Sequence, residues 1–99
     1  MTITKKLEDG KMMLALEGRL DTITAPRLQE QLIPAFDEAK EVTLDFSQLE
    51  YISSAGLRVL LTGDKTAQAK GGVQTLTGIS EDVMEVFDIT GFAGILNIE

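Results

Sequence analysis

Two short apolar-leaning runs, residues 3–7 and 12–16, flank the tetrapeptide Glu8-Asp9-Gly10-Lys11 near the start of the chain. Asp-Gly is the dipeptide that a type I′ turn favours, because both central residues of that turn need positive φ, so the pattern predicts an antiparallel hairpin. Beyond Gly18, the residues Leu28, Leu32, Ala35, Phe36 and Ala39 recur at helical spacing and are expected to face a core. Thr24 is the expected N-cap of that helix, and Pro26 fits its first turn, where a missing N–H has no helical partner to lose. Pro34 removes the hydrogen bond to the Glu30 carbonyl, so a bend or break is expected near the middle of the helix.

Residues 42–46 read as a buried strand, and residues 47–52 as a structured connection leading to Ser53-Ser54-Ala55-Gly56. A second helix is expected from there to about Ala69, with Gly71-Gly72 as its stop. Residues 73–76 form another expected strand. Ser80 should cap a third helix running to about Phe87, with Glu81 and Asp82 favouring the positive end of its dipole. Residues 91–99 suit a helical turn followed by a closing strand. Strands joined through helices usually run parallel, so a hairpin followed by this alternation implies an α/β fold. The expectation is a mixed β-sheet of four to five strands with about four helices, folded over residues 1–99 as one unit.

Composition narrows the chemistry. The chain has no Cys and no His, which removes disulfides, thiolate nucleophiles, imidazole bases and the usual zinc sites together. A formal charge of −7 opposes binding to nucleic acid or an anionic membrane, and with one Tyr and no Trp there is little on which bases would stack. No stretch approaches the roughly 18 uninterrupted apolar residues of a membrane span. The first residues lack the h-region of a secretory signal, so a cytoplasmic location is expected, and a monomer. No Walker-type phosphate loop is present, and no cofactor or metal is expected.

The Ser53-Ser54 pair precedes a helix, where unpaired N–H groups and partial positive charge gather. The plain reading of such a pair is an N-cap. On a helical wheel Gly56, Val59, Leu60, Gly63 and Ala67 share the arc that faces the sheet, and two glycines there suit a close approach of helix to sheet. Leu57 and Leu61 fall on a neighbouring arc, either covered by the adjacent helix or exposed as an apolar patch beside Ser54. Asp45 and Asp88 sit at expected element ends as turn formers. A catalytic or metal-binding pairing of Asp21 with Asp45 lacks an adjacent ligand cluster and is disfavoured.

The string from Leu49 through Ser53-Ser54-Ala55-Gly56-Leu57-Arg58 to Leu61 resembles the phosphorylation loop of bacterial STAS domains of the anti-sigma-factor-antagonist type. Glu17-Gly18-Arg19-Leu20-Asp21 followed by Thr24-Ala25-Pro26 is similar to that family's first loop and helix, and residues 86–92 to its late helix-turn motif. The resemblance implies a non-enzymatic switch. The unmodified antagonist binds an anti-sigma factor that is also a serine kinase, phosphorylation ends the binding, and a metal-dependent serine phosphatase restores it. Ser54 falls on the family's phosphoacceptor, with Ser53 a lesser candidate. Ser53 stands where the family has Asp, Ala55 replaces a second hydroxyl residue, and Arg58 replaces a Gly. The implied partner-binding residues are Asp21, Thr22, Ser53, Ala55, Gly56, Leu57, Arg58 and Leu61. The alternative is a constitutive STAS accessory subunit of a transporter or other signalling complex, without a phosphate cycle.

Overall fold

The hairpin predicted at Asp9-Gly10 forms in the computed structural model, which describes residues 1–99. Strands β1 (Thr2–Glu8) and β2 (Lys11–Leu20) pair antiparallel around it, and Asp9 (φ 52°) and Gly10 (φ 76°) both take the left-handed conformation that the turn requires. The chain continues through α1 (Ala25–Glu38), β3 (Glu41–Ile52), α2 (Ser54–Ala69), β4 (Val73–Thr77) and α3 (Glu81–Thr90), and then makes a single 3₁₀ turn, Phe92–Gly94. The sheet order is β1-β2-β3-β4, with β3 parallel to both neighbours. The expected closing strand is reduced to one parallel bridge between Leu76 and Ile98.

Register explains why one face of the sheet carries the core. Met12, Val42 and Gln74 stand side by side across β2, β3 and β4, as do Leu14, Leu44 and Leu76, and all six are buried. Strand residues alternate between faces, so this face is the one that receives the helices. Twenty-three buried apolar residues join into one cluster there, so the sheet and its helices share a single core.

Three expectations are corrected. Of the bend or break expected at Pro34, the break does not occur, because Pro34 and Glu30 are both exposed and water can satisfy the freed carbonyl. Thr24 does not cap that helix. Its backbone is already helical and its hydroxyl makes no capping bond, the role being taken by Asp21. Finally, residues 47–52 are not a connection but the second half of β3. Its register against β2 slips twice, between Ala15 and Glu17 and between Gly18 and Arg19, each time with one extra residue on β3. Such bulges bend a strand and break its two-residue period. The buried residues Phe46, Leu49 and Ile52 therefore recur every three positions, a spacing that does not read as a strand.

The close approach inferred for α2 is present. A Cβ on Gly56 would lie 2.7 Å from Leu20 Cγ and 2.9 Å from Ile52 Cγ1, and one on Gly63 would overlap the Gln74 side chain and lie 2.7 Å from Leu32 Cδ2. Gln74 is the one buried polar residue of the core. Its Nε2 donates to the Leu60 carbonyl at 3.0 Å, while its Oε1 has no partner.

Candidate functional site

The candidate residues gather where parallel β2 and β3 end and α1 and α2 begin. The Ser53 N–H donates to the Leu20 carbonyl at 2.9 Å, which ties the exit of β3 to the end of β2 and sets Ser53 beside the Asp21 loop. Thr22 and Ala25 on one bank, and Ala55 and Arg58 on the other, line an open groove of about 600 Å³ between α1 and α2.

Asp21 organises the first bank. Its Oδ1 accepts from the N–H groups of Ile23 and Thr24, both at 3.0 Å, and the Thr24 hydroxyl in turn accepts from the Asp21 N–H at 2.9 Å. This reciprocal pairing is a capping box, and it satisfies donors that a helix start leaves free. The Thr24 N–H above all holds the Asp21 carboxyl below its ordinary value; partial burial acts the other way, and the Thr24 hydroxyl, the Ile23 N–H and Arg19 reinforce the lowering. A group whose pKa is lower folded than unfolded contributes stability above its unfolded value and loses it as pH falls through the folded one. Asp21→Ala is therefore expected to lower the melting temperature near neutral pH, and that difference should shrink as the carboxylate titrates in acid. Thermal melts of both proteins from pH 7 down to pH 2 check this, and a pH-independent difference would refute it.

The two serines have different roles in the local geometry. Ser53 is the N-cap of α2: its backbone is extended, and its Oγ accepts from the Gly56 N–H at 3.4 Å. Ser54 is the first residue of α2, is exposed, and its hydroxyl makes no hydrogen bond within the chain. Arg58, one turn further on, is also exposed, and no carboxylate lies within ion-pair distance of it.

Leu57 and Gly56 do not belong to this surface. Leu57 is buried in the core and Gly56 packs against Leu20 and Ile52, so of the two alternatives for Leu57 the covered one holds, and neither residue is available to a partner as the resemblance implied. Leu61 is half-buried. Sequence reasoning missed three neighbours of the site. Ile23, in the Asp21 loop, is 82% exposed, and the Arg19 guanidinium stacks over the Tyr51 ring 4.1 Å from its centroid. Ile23 sits among threonines, and nothing in that local pattern separates a displayed isoleucine from a buried one. Arg19 and Tyr51 are brought opposite each other only by the shifted register of β2 and β3. Asp45, expected at an element end, instead lies within β3 at the first bulge, where its Oδ1 accepts from the Ser47 N–H at 2.9 Å.

A family model described as the STAS domain matches residues 2–99. The chain belongs to the STAS domain family. Among relatives, this STAS domain is 35% identical over 99 residues to BtrV of Bordetella bronchiseptica, whose assignment as an anti-sigma factor antagonist is provisional; the match covers 99% of this chain and 85% of that protein. It is 28% identical over 98 residues to the anti-sigma-B factor antagonist of Bacillus subtilis, covering 99% of this chain and 90% of that one. The fold matches the phosphorylated form of the Bacillus cell fate determinant SpoIIAA with a TM-score of 0.77 at 17% identity, over 99% of this chain and 91% of that chain. Its unphosphorylated form matches with a TM-score of 0.78 at 16% identity, over 99% and 87%.

Proposed function

We propose that this STAS domain is an anti-sigma-factor antagonist: unmodified, it binds an anti-sigma factor with serine kinase activity, and phosphorylation of Ser54 ends that binding. The observation that carries this reading is the division of labour at the start of α2, where Ser53 caps the helix and Ser54 is left exposed with an unengaged hydroxyl. An acceptor serine must present its oxygen to another protein's active site, and Ser54 does so while Ser53 is turned to its own backbone. In the transfer, Ser54 Oγ attacks the γ-phosphorus of ATP, the bond to the bridging oxygen breaks, ADP leaves, and the hydroxyl proton passes to a base on the kinase. A metal-dependent serine phosphatase reverses the state by hydrolysis. The names of the relatives at 28% and 35% identity support this reading over a constitutive transporter subunit.

The partner surface is formed by Asp21, Thr22, Ser53, Ala55, Arg58 and Leu61, with Ile23 as an added exposed apolar side chain. Incubation with the cognate kinase and ATP, followed by mass-spectrometric location of the phosphate, tests the acceptor. A phosphate on Ser54 is expected, and one on any other residue, or none, would defeat the assignment.

The leucines give a second test. Leu61→Glu is expected to weaken partner binding with little change in melting temperature, because that side chain is already partly in water. Leu57→Glu is expected to unfold the domain, since it buries a charge with no partner. Circular dichroism melts and a binding titration separate the two, and a Leu61→Glu protein that unfolds would remove Leu61 from the surface.

A further inference from the structure

The family resemblance places Gly where this chain has Arg58, and the structure gives that arginine no task of its own. It is exposed on α2, and the four ion pairs of the molecule leave it out: Lys5 with Glu38, Lys11 with Glu41, Arg19 with Asp21, and Lys70 with Asp37. Its backbone carbonyl accepts from the Thr62 hydroxyl at 3.0 Å, which occupies the main chain and leaves the guanidinium free. Ser54 lies four residues earlier on the same helix, equally exposed.

Residues four apart in a helix are neighbours on its surface, with Cβ atoms roughly 5–6 Å apart, and the favourable order places the acidic group N-terminal to the basic one. A phosphoserine at 54 and an arginine at 58 stand in that order. Guanidinium also matches phosphate geometrically, since its parallel N–H groups can meet two phosphate oxygens at once. Glu30 faces the groove from α1 beside Arg58, and Asp21, with Arg19 near it, lies next to Ser53 across the end of the sheet. Glu30 is not within ion-pair distance of Arg58, so a phosphate would meet an unengaged cation.

Resting on the reading of Ser54 as the acceptor, we infer that Arg58 is an internal clasp for the phosphate, binding phosphoserine 54 across one turn of α2. Phosphorylation then alters the partner surface twice. It adds a dianion at position 54, and it withdraws the Arg58 cation from whatever that cation meets in the unmodified complex. A chain with Gly at this position would undergo only the first change.

The test uses the full chain with phosphoserine installed at position 54 during translation, so that no kinase is required. The second ionisation of the phosphate is followed by phosphorus NMR in the wild-type background and in Arg58→Gln and Arg58→Lys. An i to i+4 pairing of ordinary strength corresponds to a shift of about 0.2–0.4 pH unit, so the phosphate should titrate that much higher in Arg58→Gln, with most of the difference recovered in Arg58→Lys. Gln has nearly the helix propensity of Arg, so the variant should fold. As a readout independent of any variant, the Arg58 Nε–H resonance of the wild-type chain should move on phosphorylation. Equal phosphate titration in wild type and Arg58→Gln, or an Arg58 Nε–H resonance unmoved by the phosphate, would overturn the clasp. Failure of the underlying reading shows up separately, as a kinase that modifies another residue while the titration difference persists.

Discussion

Protein phosphorylated on Ser54 is expected to melt within a few degrees of the unmodified form and to bind its anti-sigma factor about a thousandfold more weakly, a loss of about 4 kcal/mol. The two halves of this result have separate causes. Ser54 opens α2, so a group carrying about −1.5 to −2 charges there meets the positive end of the helix dipole, a position that stabilises a helix. The structural cost is small because the exposed Ser54 side chain displaces nothing on gaining a phosphate. Binding suffers because a dianion held at an interface must either lose its water against apolar residues or face acidic groups that repel it. Ser54→Ala is expected to bind like the wild type and to be insensitive to the kinase, whereas Ser53→Ala should lower stability through loss of the cap. Calorimetric or optical melts and a binding titration on each form decide the matter. Undiminished affinity in the phosphorylated protein, or global unfolding on phosphorylation, would refute this mechanism.

Gly63→Val is expected to be among the most damaging single changes in the chain, costing about 3 kcal/mol at a buried site outside the proposed partner surface. The first added carbon already collides with Leu32 and with Gln74, so α2 must lift from the sheet or both neighbours must leave their rotamers. Lifting α2 would also stretch the bond from Gln74 Nε2 to the Leu60 carbonyl and leave a buried amide wholly unpaired. Because Gln74 is one of the two obstacles, Gln74→Ala should recover part of the loss in the double variant, and the two changes should be markedly non-additive. Urea denaturation of the single and double variants measures this. A Gly63→Val protein as stable as the wild type would mean that α2 does not sit on the sheet as closely as described.

Where the physics was local, the amino-acid sequence was enough. The Asp9-Gly10 turn follows from the two positive φ values that only such residues adopt readily, and the caps at the Ser53-Ser54 pair and at Ser80 follow from hydroxyls placed before helices, Ser53 and Ser80 each accepting from an N–H three residues on. The inward arc of α2, with glycines at 56 and 63, follows from the helical period alone. What depended on distant segments was out of reach. The second half of β3 loses its strand signature because two bulges, visible only against β2, turn an inward period of two into one of three. Asp21 rather than Thr24 caps the first helix because the Thr24 backbone is already helical and its hydroxyl oxygen accepts from the Asp21 N–H, 2.9 Å away, an arrangement set by where β2 ends against β3. The fate of the leucines was likewise tertiary: Leu57 and Leu61 are equivalent by pattern, and only the packing of α2 buries the first and leaves the second half in water. The sequence alone determined the opening hairpin, the order of the helices and strands that follow it and the serine pair at the start of α2, because turns, caps and periodicity act over a few residues. The tertiary structure decided which serine caps α2 and what surrounds the pair, because the bond from the Ser53 N–H to the Leu20 carbonyl fixes where β3 ends and exposure is set by groups that the chain brings together from far apart.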